Sequence, residues 1–248
     1  MLESDRDTLN VYTFKWGSKY GPEYVNRLHN SLKKHCHTDF KFHCITDNST
    51  GIYSNIEIID YNTFQHTPLF TLEKVELMYK INTHNNLILD LDILIHNDIT
   101  DLCTRNIDKP TFIWTHWTPE WHWEKLVPKK TACFVNSSFV RWTGNSANFL
   151  WEYYINNKDY LDKEYQSCDK YLFYEHHLNG DRLGFWKDSD KHFYNYNEQG
   201  PNQYQYNPTA SCCLFNTSHL IKMGRKCFEL SETPDWAIDI WESYDEVE

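Results

Sequence analysis

Residues 87–95, Leu-Ile-Leu-Asp-Leu-Asp-Ile-Leu-Ile, constrain this chain more than any other stretch. Seven of the nine are aliphatic, and the run predicts one strand buried on both faces of an α/β sheet. Two aspartates, Asp90 and Asp92, interrupt it, and no Lys or Arg lies nearby in sequence to neutralise them. A buried carboxylate is costly unless it is paired or binds a metal. Residues two apart in a strand point to the same side, so both carboxylates can face one point. That pattern suits a hard divalent cation, Mg²⁺ or Mn²⁺, which takes carboxylate oxygens and completes its shell from substrate phosphates. The competing reading is that one aspartate caps the following turn and the other is solvated at the strand end.

The strands and helices before this run set the fold class. Asn10 to Phe14 reads as a first strand, ended by the turn-prone Trp16-Gly17-Ser18-Lys19. Residues 22–36 predict a helix: Pro22 suits its first turn, Tyr24, Val25, Leu28 and Leu32 recur at helical spacing, and Lys33, Lys34 and His35 complement the dipole at its end. Phe40 to Ile45 and Ile56 to Ile59 predict two more strands, and Thr71 to Lys80 a helix. Strands alternating with helices at these intervals indicate a mostly parallel sheet, which takes ligands at the carboxyl ends of its strands. Beyond residue 100 the pattern loosens: residues 111–123 are rich in Trp, and residues 188–208 read as a long polar surface loop. The expected organisation is one α/β domain over 1–248, with a nucleotide-binding half (1–100) and a half for sugar and acceptor (101–248).

Composition narrows the partners. A formal charge of -11 without a basic face argues against nucleic acid. The eight cysteines have no C-x-x-C spacing, so a zinc or iron–sulfur centre is not expected. The charged start, Met1 to Asp7, lacks an apolar signal region, and no apolar run approaches the ~20 residues of a membrane span. A cytoplasmic protein with free thiols is the expectation.

The ordered motifs resemble those of the GT-A class of nucleotide-sugar-dependent glycosyltransferases, in particular small bacterial and viral members related to family 8. The resemblance runs from about Leu9 to Trp241. It is carried by residues 12–17 at the first strand, Cys44-Ile45-Thr46-Asp47 at the second, Lys74, the Asp90-Leu91-Asp92 (DxD) motif, residues 134–139 and Cys168-Asp169-Lys170-Tyr171-Leu172. It implies a Rossmann-like GT-A fold, a UDP-hexose donor such as UDP-glucose or UDP-galactose, a glycan or other hydroxyl acceptor, and Mn²⁺ or Mg²⁺ as cofactor. It further implies that Thr13, Lys15 and Tyr20 hold base and ribose and that Lys74 faces the nucleotide or its phosphates. Asp90 would contact ribose and metal, with Asp92 the principal metal ligand. Asn136 and Ser137 would line the donor sugar, and Asp169, with Lys170 beside it, would bind sugar hydroxyls or act on the acceptor. Two departures stand out. Where the family often has Phe-His-Gly, with the His on the metal, this chain has Phe215-Asn216-Thr217, leaving Asn216 or His219 for that role. The family's Asp-Gln pair is Asp169-Lys170 here.

Each residue also has a plainer reading. Lys15 and Lys74 suit a solvated surface as well as a phosphate. Asp169 can cap the helix that follows it. Trp114, Trp117, Trp121 and Trp123 fit a core or, given the polar residues among them, an acceptor platform. Two other functions fit the same motifs: a noncatalytic nucleotide-sugar or glycan-binding module, and a DxD phosphatase with Asp90 as nucleophile.

Overall fold

The computed structural model describes residues 8–69, 71–118, 133–186, 188–196, 206–215 and 233–245. The fold is mixed α/β with a mostly parallel seven-stranded sheet. In chain order the sheet's strands are β1 (Leu9–Lys15), β2 (Phe40–Thr46), β3 (Glu57–Asp60), β4 (Asn86–Leu89), β6 (Thr111–Trp114), β7 (Val135–Trp142) and β8 (Gly184–Phe185), and they lie side by side as β3-β2-β1-β4-β7-β6-β8. A second sheet, β5-β10-β9, is formed by β5 (Ile93–Ile95), β9 (Phe193–Tyr196) and β10 (Cys212–Phe215). The chain folds as two compact units, each of separated stretches: residues 62–88 and 106–189 in one, and 9–61, 89–105 and 190–248 in the other.

In the second of these units, β1, β2 and β3 run parallel and end in step, with Lys15 beside Thr46 and Thr46 beside Asp60. Alternation explains β1: Val11 and Thr13 are fully buried and Leu9 with them. Helix α1 (Pro22–His35) follows as its sequence pattern predicts, with Pro22 in its first turn and Tyr24, Val25, Leu28 and Leu32 buried. The last helix here, Asp235–Glu242, packs on α1 through Tyr24 against Trp241, rings 4.8 Å apart, and through Arg27 lying 3.7 Å over the Trp241 ring. Asn30 adds a hydrogen bond to the Tyr244 carbonyl at 2.8 Å. In the small sheet β10 pairs antiparallel with β5 and parallel with β9.

In the other unit β6 pairs antiparallel with β7 and parallel with β8. Helix α2 (Glu73–Lys80) precedes β4, and Cys168–Tyr171 forms a short helix that runs on into a π-helical segment, Leu172–Leu178. Tyr171 anchors that segment: its hydroxyl donates to the Leu150 carbonyl at 2.5 Å and lies 2.7 Å from His176 Nε2.

Three expectations change, and for Trp114 one of the two open readings is selected. Residues 87–95 are not one strand. β4 ends at Leu89, Asp90-Leu91-Asp92 turns with Ile93 N–H donating to the Asp90 carbonyl at 3.4 Å, and β5 starts in the other sheet. The aliphatic residues on both sides are buried, while the two aspartates, lying in the turn, are half-buried. Aliphatic content alone cannot distinguish one long strand from two short ones. Helix α2 begins at Glu73 because Thr71 takes a left-handed conformation, φ 65°, which no helix interior admits. Residues 188–208 are not wholly loop: Ser189–His192 is a helical turn and Phe193–Tyr196 is β9. Trp114 is no exposed ring, since it ends β6 and packs on Phe134 (5.1 Å, stacked), His177 and Phe185. Trp121 and Trp123 lie outside the described residues.

Candidate active site

At the carboxyl edge of β1–β3 the loops are tied by short polar contacts. Lys15 is 5% exposed and its Nζ donates to the Asn48 carbonyl at 3.2 Å. Gly17, whose φ of +63° suits glycine, donates its N–H to Asp47 Oδ2 at 2.9 Å. Between them Trp16 stays 48% exposed, stacked on Tyr61 at 5.7 Å with 12° between the planes. Thr13 is fully buried on β1 and its hydroxyl has no protein hydrogen-bond partner. The acidic turn belongs to the same unit, and Tyr20 reaches it: its hydroxyl donates to Asp92 Oδ2 at 3.1 Å. Thr13, Lys15, Tyr20, Asp90 and Asp92 thus fall in one unit.

Lys74, Asn136, Ser137, Asp169 and Lys170 fall in the other. Lys74 lies on the buried face of α2 at 5% exposure, and its ammonium donates to the Ser137 carbonyl at 2.9 Å and hydroxyl at 3.2 Å. Among the plainer readings, a solvated Lys74 is therefore excluded, and so is a solvated Lys15. The Asn136 side chain accepts from Ser138 N–H at 2.9 Å. Asp169 does not cap its helix: Ser167 does, accepting from Lys170 N–H at 3.4 Å. Asp169 is half-buried in the first turn. Its charge and that of Lys74 both act on Cys168. Burial pushes that thiol well above its ordinary range, Asp169 adds to the rise and Lys74 opposes it. Burial, then Asp169, likewise raises the Cys133 thiol.

The donor set of the acidic turn fits a hard cation. Asp90 and Asp92 supply carboxylate oxygens from a single turn, half-buried, and one or two protein carboxylates suffice where substrate phosphates complete the shell. Among the described residues no group of three or more His, Cys, Asp or Glu is placed to hold a metal. Asn216 and His219 lie outside the described residues. Cys36, Cys44, Cys103, Cys133, Cys168, Cys212 and Cys213 are free thiols. Among the described residues no helix is long and apolar enough to cross a membrane.

The sequence motifs include Asp47 without giving it a role, and they do not single out Asn48 or Ser167. A role for both Asp47 and Asn48 could have been read from their place just after β2, where ligand loops gather. Ser167 carries a visible cap signal, Ser two residues before Asp169.

No protein-family model matches the sequence, and no curated protein matches it. Solved structures do. An active-site mutant of LgtC superposes with a TM-score of 0.60 at 12% identity, over 96% of this chain and 95% of that one. The galactosyltransferase LgtC in complex with donor and acceptor sugar analogs gives 0.59 at 12% identity, over 97% and 98%. The apo-form glycosyltransferase GlyE of Streptococcus pneumoniae TIGR4 gives 0.53 at 12% identity, over 97% of this chain and 61% of that one. The structural neighbours are glycosyltransferases, and the chain shares their GT-A-like fold.

Proposed function

We propose that this protein is a glycosyltransferase that moves a hexose from a UDP-hexose, such as UDP-glucose or UDP-galactose, to a glycan or other hydroxyl acceptor. The observation that carries the reading is the acidic turn: two carboxylates at the end of β4, on a fold shared over nearly the whole chain with glycosyltransferases. Asp90 and Asp92 would hold Mn²⁺ or Mg²⁺, with Asn216 and His219 as further candidates. When bound, the cation supplies Lewis-acid stabilisation to the charge that builds on the departing diphosphate.

The residues of this chain divide the remaining work. Thr13 and Lys15 in the last residues of β1, with Tyr20 in the loop that follows, would hold the base and ribose of the donor, and Asn136 and Ser137 would orient the sugar. Asp169 either orients sugar hydroxyls or accepts the acceptor hydroxyl's proton at a carboxylate oxygen, with Lys170 beside it in the helix. Lys74 stands as a fixed cation. Its hold on Ser137 spares the cost of ordering a flexible side chain at the moment charge develops.

A thermal-shift panel of nucleotide sugars with and without Mn²⁺, followed by turnover of the stabilising donor, tests the reading. The expected result is stabilisation by a UDP-hexose that grows with Mn²⁺, and release of UDP, slowly even without acceptor. Binding without any turnover would make the protein a noncatalytic module. A phosphoaspartate trapped at Asp90 would make it a phosphatase.

Lys74→Ala is expected to lower kcat/KM by about ten-fold or more. It also strips two buried Ser137 oxygens of their donor, so stability should fall by about 1–3 kcal/mol. Urea unfolding and steady-state kinetics read the two effects separately. Unchanged kinetics in a destabilised protein would leave Lys74 with a structural role alone.

A further inference from the structure

The loop leaving β1 sets an aromatic ring against the acidic turn and holds it from behind. The Tyr20 ring lies 4.7 Å from that of Tyr24, which packs at 4.8 Å on Trp241, itself covered by Arg27. Backed in this way, the ring presents its hydroxyl to Asp92 Oδ2 at 3.1 Å. The ammonium of Lys19 lies 4.3 Å from the centroid of the same ring.

A carboxylate in a turn swings about its own side-chain torsions, and a donor on a rigid ring restricts that swing. A phenol does this without competing electrostatically with a cation, as a lysine or arginine would. The ring alone would serve Tyr24 and Lys19, so phenylalanine would suffice for packing; only the hydroxyl reaches Asp92. Lys19 also differs from the other lysines considered for the donor. Lys15 and Lys74 are buried and donate to backbone carbonyls, whereas Lys19 is half-buried and its ammonium sits on the ring whose hydroxyl reaches the turn.

We infer that Tyr20 is a positioning residue for the cation-binding carboxylate of Asp92, and that Lys19, carried on its ring, adds positive charge for a diphosphate. The inference rests on the nucleotide-sugar reading above and moves Tyr20 from the base of the donor to the metal end of the site.

The test is calorimetric titration of UDP, and of uridine, into the full chain with Mn²⁺ or with chelator. It compares wild type, Tyr20→Phe, Lys19→Gln, Asp92→Ala and the Tyr20→Phe/Asp92→Ala pair. Tyr20→Phe is expected to weaken Mn²⁺-dependent UDP binding about ten-fold, to leave chelator-insensitive binding unchanged, and to add nothing in the Asp92→Ala background. Lys19→Gln should weaken UDP but not uridine, and should flatten the salt dependence of UDP binding. Tyr20→Phe with wild-type Mn²⁺ dependence would overturn the positioning role. So would an equal loss with and without chelator, or an undiminished effect beside Asp92→Ala, since each places Tyr20 elsewhere than on the carboxylate. Equal losses for UDP and uridine in Lys19→Gln would overturn the charge role. A wild-type protein that binds no UDP at all would sink the functional reading and this inference together. That result differs from the others because it appears before any substitution is made.

Discussion

Asp169→Asn should cut glycosyl transfer by about 10²–10⁴-fold, the range for losing a positioned acid–base group, while UDP affinity stays within about two-fold. The substitution keeps the size of the side chain and most of its hydrogen bonding but removes charge and basicity. Ser167, not Asp169, caps the helix, so the change leaves the cap intact and the loss is not a folding defect. The helix is further held by Tyr171 on Leu150 and His176, none of which the substitution touches. Transfer and UDP titrations on the same preparation check the expectation. Wild-type transfer rates would sink both the basic and the sugar-orienting roles. Loss of UDP binding would mean that Asp169 serves the nucleotide instead.

The second large effect is expected at Asp92. A ligand present at about 100 times its dissociation constant stabilises the native state by about 2.7 kcal/mol, and the share of that which needs Mn²⁺ should vanish in Asp92→Ala. The unliganded variant should melt close to wild type, because Asp92 is half-buried and lies in a turn outside both strands. Melting curves with UDP-hexose, with and without Mn²⁺, give the answer in one plate. A variant stabilised as much as wild type by Mn²⁺ plus donor would remove Asp92 from the cation.

Much of the architecture can be read from periodicity. β1, β2 and α1 follow their patterns to within a residue or so, down to Pro22 in the first turn and the basic last turn of α1. Failures came where the pattern carries no positional information. Leu87–Leu89 and Ile93–Ile95 are equally aliphatic, and nothing in hydrophobicity says that the chain changes sheets between them. Phe193–Tyr196 is written in aromatic and polar letters within an Asn-rich stretch, so it reads as loop although β10 pairs with it throughout. At the candidate site the acids and Lys74 are visible as local motifs. Their partners are not: Ser137 lies 63 residues from Lys74, and Tyr20 lies 72 from Asp92. Contacts across such separations depend on which strands become neighbours, a property of topology and not of spacing.

The change of sheets at residues 90–92 also limits how this chain can vary in length. Both flanks of the turn are buried and committed, β4 in the large sheet and β5 in register with β10, Leu94 opposite Cys213. An inserted residue has two places to go. It can lodge in the turn and separate the carboxylates, or slide β5 along β10 and draw a polar neighbour, Asp92 or His96, into an aliphatic ladder. A deletion faces the same choice in reverse. For the engineering of donor choice, this turn is a place to exchange residues and never to add or remove them.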